Sequence, residues 1–147
     1  MYRKRDGVSV FTKNTYYGRS LICKIKYFFR DIKYCYQRIR YGWCDRDTWS
    51  IDYWFLEVMP PMLQHLRDNK HGYPCDMSEE LWNKTLETMI FLFTEADEDR
   101  CSLKNNYRID VEYEKWRDRQ SYINNYREEC KNKAFNVFKI RFWNLWD

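Results

Sequence analysis

SLICKIKYFFRDIKYCYQRIRYG, residues 20–42, is the stretch on which the fold turns. Its apolar positions Leu21, Ile25, Phe28, Phe29, Ile32, Cys35, Tyr36 and Ile39 recur at intervals of three and four, the repeat of one helix face. Lys24, Lys26, Arg30, Lys33, Arg38 and Arg40 occupy the other face. Ser20 can cap the start through its hydroxyl, and Gly42 offers the left-handed backbone that ends a helix. An amphipathic helix of this kind stabilises a fold by burying its stripe against other elements.

Three further stretches carry the same repeat. Asp45 is expected to cap a second helix with Asp47 in its first turn, where the helix dipole favours acids. Its stripe is Trp49, Tyr53, Leu56, Met59, Leu63 and Leu66. Pro60-Pro61 falls inside, but the stripe continues in phase, which predicts one kinked helix. Asp76-Met77-Ser78-Glu79 reads as a capping box for a third helix running to about Asp97, with Leu81, Thr85, Met89, Leu92, Phe93 and Ala96 inward. The acids at its end oppose the dipole, so that end is expected to fray. A long C-terminal helix spans roughly Ile109 to Leu145, its stripe running through Ile123, Tyr126, Cys130, Ala134, Val137, Phe138, Arg141 and Leu145. The expected fold is all-α: a four-helix bundle, or an irregular helical bundle, with a kinked second helix. The 147 residues suit a single helical domain, with residues 1–18 as an irregular arm around the alternating Val8–Phe11.

Composition narrows the function classes. Aromatics at 20% and hydrophobics at 44% exclude a solvated, disordered chain. No apolar run reaches the ~18 residues of a transmembrane helix, and Lys24 and Lys26 break the stretch that would have to serve as a leader. The six cysteines form no Cys-x-x-Cys pair, and reduced thiols, mostly buried as small hydrophobes, are expected. His71 and Cys75, with Cys44 as a distant third ligand, have looser spacing than zinc sites show, and no cofactor is implied. Charge is asymmetric. Residues 1–40 hold eleven bases against Asp6 and Asp31, or +9, while residues 41–147 hold fifteen bases against twenty acids, or −5. A basic segment on an acidic body can pack inward or face a phosphate-rich or acidic partner.

Arg40 to Trp54 is the densest constellation: RYGWCDRDTWSIDYW. Capping by Asp45 and Asp47, core packing by Trp49 and Tyr53, and an Asp52 ion pair with Arg40 or Arg46 would account for it structurally. A surface site built on Arg40, Trp43 and Arg46 is the functional reading. A three-carboxylate metal site is poorly supported, because Asp47 lies about 160° around a helix from Asp45. The basic helix gives a second candidate. Lys24, Lys26, Arg30, Lys33 and Arg38, interleaved with Tyr27, Tyr34, Tyr36 and Tyr41, could bind nucleic acid or an acidic partner by charge and stacking. Half-buried helix tyrosines would look the same. His65 is expected beside the second helix's apolar stripe, at the boundary between core and solvent, and His71 in the turn before Gly72, and neither has a nucleophile beside it in sequence. No phosphate-cradling glycine loop, nucleophile elbow or His-Glu-x-x-His exists, and Glu95 and Glu98 form an acid pair with no second pair after it. An enzyme is therefore not expected. Phe142–Trp146 should pack into the bundle, with a homo-oligomer contact as the other reading.

The segment Arg40–Pro74 resembles a family of small bacteriophage and viral-metagenome proteins. Their pattern of Arg-Gly-aromatic-Ser-Asp, Asp-x-Trp, Asp-Tyr and Gly-Tyr-Pro is matched by Arg40, Gly42-Trp43-Cys44-Asp45, Asp47-Thr48-Trp49, Asp52-Tyr53 and His71-Gly72-Tyr73-Pro74. Tyr41 is an insertion relative to that pattern, and Cys44 stands where serine is usual. The resemblance implies a phage product made in the host bacterial cytoplasm and brings no catalytic residue. The expected function is a non-enzymatic protein that engages a host macromolecule, for instance as an inhibitor of a defence system. The second expectation is a virion or replication accessory that contacts nucleic acid through the basic helix. The expected partners are a host protein or a nucleic-acid-containing complex, and no membrane.

Overall fold

The computed structural model describes residues 20–146, and every regular element among them is helical. Helices α1 (Leu21–Tyr41), α2 (Ile51–Asn69), α3 (Glu79–Ala96) and α4 (Tyr113–Arg141) are joined by turns, with single 3-10 turns at Asp47–Trp49 and Phe142–Asn144. The all-α expectation holds; the arm at residues 1–18 lies outside the described residues. The chain divides into two compact units, one reaching to Phe55 and one beginning at Leu56, so the division falls inside α2.

The first unit is built on α1. Ser20 accepts a hydrogen bond from the Cys23 N–H at 3.5 Å, and Gly42 closes the helix at φ 79° with its N–H on the Arg38 carbonyl. Both caps fall where the sequence placed them. The faces do not. Leu21 (77% exposed), Ile22 (81%), Phe29 (66%) and Ile39 (86%) stand in solvent, as do Ile25, Phe28, Ile32 and Tyr36. The covered face is polar: Asp31 is buried, and Lys24, Tyr27, Arg30, Tyr34, Gln37 and Arg38 are half-buried around it. This corrects the expectation that the apolar stripe packs inward. The physical reason is that the polar face finds specific partners. Arg30 lies over the Tyr27 ring at 4.4 Å and near Tyr34 at 5.6 Å, while Gln37 and Arg38 bind carboxylates of the turn that follows.

The second helix also starts later than its sequence suggests. Asp45 caps nothing: the chain makes the 3-10 turn at Asp47–Trp49 and enters α2 at Ile51, with Asp52 in its first turn. Trp49, assigned to the core stripe, is 89% exposed. No ion pair of Asp52 with Arg40 or Arg46 occurs among the described ones; the neighbouring Asp45 and Asp47 pair with Lys33 and Arg38. Pro60 and Pro61 sit within α2, which continues to Asn69 as one helix, as the in-phase stripe predicts. Pro60 and Leu63 are buried.

In the second unit α3 packs along α4. Ser78, not Asp76, caps α3, accepting from the Leu81 N–H at 3.2 Å. Asp76 instead meets Arg141 at 2.6 Å. The buried apolar residues of α3 are Trp82, Leu86, Met89, Phe93 and Ala96, while Leu81 is half exposed, so the true stripe is rotated by one position at its start. Phe93 packs edge-to-face on Phe135 (5.3 Å between centroids) and Phe138 (6.0 Å) of α4. Ile123, Cys130 and Ala134 complete the buried side of α4, as its repeat predicts.

The acidic end of α3 is tied to the loop that follows it. Glu95 accepts from the Ser102 N–H (3.0 Å) and hydroxyl (2.7 Å), tying the loop back to the helix. Asp97, 1% exposed, accepts from the Asp99 N–H and from the Arg100 guanidinium at 2.7 Å. These acids oppose the dipole, but each supplies acceptors to backbone N–H groups of the loop that follows.

Candidate interaction surface in the first unit

The turn after α1 is fixed by two carboxylate clasps. Gly42 reverses the chain, and Cys44 is driven into the interior at 1% exposure. Asp47 then accepts from the Cys44 N–H (2.8 Å) and from both Nε (3.2 Å) and a terminal nitrogen (2.5 Å) of Arg38. Burial would raise the Asp47 carboxyl, but the Arg38 and Cys44 hydrogen bonds outweigh it and hold the group below the usual carboxylate range. Asp45 makes the outer clasp, accepting from Lys33 Nζ at 2.7 Å and Gln37 Nε2 at 2.6 Å while its own N–H donates back to Gln37 at 3.1 Å. Those hydrogen bonds lower the Asp45 carboxyl and raise the Lys33 amine.

Held in this way, the turn presents apolar groups outward. Trp43, Asp47, Thr48, Ile51 and Trp54 line a recess of about 280 Å³. Trp43 is 45% exposed and Ile51 65%. The Arg40 guanidinium lies 5.7 Å from the Tyr41 ring, and Tyr41 lies 6.2 Å from Trp43, so the three form one exposed run. Of the residues singled out from sequence, Arg40 and Trp43 thus lie on one surface, and Arg46 is half-buried in the same turn. The basic set is divided: Lys26 is exposed, Lys24 and Arg30 are half-buried, and Lys33 and Arg38 are held by Asp45 and Asp47.

The second unit offers two apolar hollows of its own. Met59, Met62, Leu66, Phe138, Trp143 and Trp146 contribute to one of about 580 Å³. His71, Tyr73, Trp82 and Trp146 contribute to another of about 270 Å³. Trp143 is 85% exposed and Trp146 72%, which corrects the expectation that the aromatic ending packs away. His65 pairs with Asn69. Cys44, Cys101 and Cys130 are buried as expected, Cys23 and Cys75 are exposed, and all six thiols are free. No group of three His, Cys, Asp or Glu is placed to hold a metal among the described residues.

Sequence reasoning missed the recess and the outward turn of the α1 stripe. Lys24, Tyr27, Arg30, Asp31, Tyr34 and Arg38 also recur at three and four, and that second periodicity was the available signal. No protein-family model, curated protein or solved structure matches this chain.

Proposed function

We propose that this chain is a non-enzymatic binding protein that seats a host protein at the Arg40–Trp54 turn. In this reading it is a phage product acting in a bacterial cytoplasm, with inhibition of a host defence system as its role. The observation that carries the binding reading is the apolar recess flanked by Trp43 and Ile51. It has the size to take one leucine- or phenylalanine-sized side chain. Exposed tryptophan, tyrosine and arginine are the residue types that dominate interface energetics. Arg40, stacked by its neighbour Tyr41, adds a charge-assisted donor at the edge of such a contact. The nucleic-acid reading has less behind it, since Lys33 and Arg38 already serve internal carboxylates.

Affinity capture with the tagged full chain from nuclease-treated host lysate tests the proposal. The wild type should retain a host protein, and Trp43→Ala should reduce the recovery at least tenfold, the loss of about 1.4 kcal/mol or more typical of a central aromatic. Loss of every partner on nuclease treatment would instead support the accessory that contacts nucleic acid.

A further inference from the structure

The outward face of α1 is unlike the recess, and it implies a different contact. On a helix advancing about 100° per residue, Leu21, Ile22, Ile25, Phe28, Phe29, Ile32, Tyr36 and Ile39 fall within a single arc of roughly 120°. All eight are exposed, along a helix of roughly 30 Å. The exposed Lys26 lies on one rim of that arc, with Lys33, held by Asp45, one heptad further along, and the half-buried Lys24 lies beyond the other rim. Helix α1 carries six cations against Asp31 alone, and residues 1–19 add Arg3, Lys4, Arg5, Lys13 and Arg19 against Asp6.

We infer that α1 lies on the surface of an anionic lipid bilayer, its apolar arc among the acyl chains and Lys24 and Lys26 at the phosphates. Three observations select this occupant. A second copy of the chain would bring two strongly basic helices together along their length, and like charges oppose that contact. The face is that of a single helix, and the recess beside Trp43 and Ile51 does not lie on it; a bilayer needs no such recess. Long basic side chains on both sides of an apolar arc can extend to headgroups while their methylenes stay against the lipid. No helix among the described residues is long and apolar enough to cross a membrane, and lying in the interface requires no crossing. The same strongly basic segment attracts anionic headgroups before the apolar arc inserts. The recess at the Arg40–Trp54 turn plays no part in this contact.

Flotation of the full chain with large unilamellar vesicles tests the inference. The protein should float with vesicles of equimolar phosphatidylcholine and phosphatidylglycerol at low salt, and at least tenfold less with pure phosphatidylcholine. Ile25→Gln/Phe29→Gln should cut recovery on the anionic vesicles at least tenfold with helicity unchanged by circular dichroism. Lys24→Gln/Lys26→Gln should cut it several-fold, with the difference shrinking at high salt. Wild-type flotation by the Ile25/Phe29 variant would overturn the inference. So would the absence of anionic-vesicle binding, or a wild-type dimer in sedimentation velocity that the same double variant dissociates.

Discussion

Arg100→Ala is expected to cost about 3–5 kcal/mol, most of the stability of a marginal domain. Arg100 binds Asp97 through Nε at 3.0 Å and a terminal nitrogen at 2.7 Å, donates to the Leu56 carbonyl, and lies 3.6 Å from Glu57. Asp97 and Glu57 are each almost fully buried, with side chains 1% and 3% exposed. Removing the guanidinium strands two carboxylates and a carbonyl away from water, which is costlier than the attraction lost. Arg100→Lys should recover only part of the loss, because an ammonium cannot make the forked contact with Asp97 while also reaching Leu56. Urea unfolding at neutral pH checks both variants. An Arg100→Ala midpoint equal to that of the wild type would refute the role assigned to this cluster.

Phe93→Ala should be comparably damaging, at about 3–5 kcal/mol. Phe93 is fully buried and makes edge-to-face contacts with Phe135 and Phe138, which are themselves 6.5 Å apart. The truncation opens a cavity between α3 and α4 at their aromatic centre, and neither phenylalanine partner can fill it without leaving its rotamer. Phe93→Leu should cost less, since it keeps most of the volume and loses chiefly the ring geometry. Paired urea curves for the two substitutions make the comparison. Equal, small losses would mean that the α3–α4 contact is not centred on this ring.

Helix positions were legible because they follow from local rules. Ser20 and Gly42 bound α1 through hydroxyl capping and a left-handed backbone, and neither requires knowledge of the rest of the chain. The α2 stripe predicted correctly that Pro60 and Pro61 sit inside one helix, and the α4 repeat found Ile123, Cys130 and Ala134. The α3 cap was misplaced: Ser78 caps the helix, and a long-range pairing with Arg141 takes Asp76. The orientation of α1 was not legible for a deeper reason. Hydrophobic periodicity reports that a helix has two faces. Which face turns inward depends on whether the polar one finds partners, and those partners, Asp45 and Asp47, lie beyond the helix end.

The candidate surface was half legible. Arg40 and Trp43 were identified as partner-facing from residue type, and they are exposed in one run with Tyr41. Assigning Trp49 to the core and Asp45 to a cap was wrong for the same cause. Both assignments assumed that α2 begins at Asp45, whereas the Arg38–Asp47 clasp imposes a 3-10 turn first. That clasp turns Trp49 outward and leaves the hollow beside Ile51 and Trp54.

The bilayer contact inferred for the first unit depends on the apolar face of α1 standing free. The most direct test is the urea unfolding midpoint of Ile22→Gln/Ile39→Gln, which replaces side chains 81% and 86% exposed with a residue of equal or better helix propensity. The midpoint should match the wild type to within about 0.5 kcal/mol, as for surface substitutions. A loss of about 2–5 kcal/mol, the cost of truncating a packed isoleucine, would show that this face is buried and contradict the account.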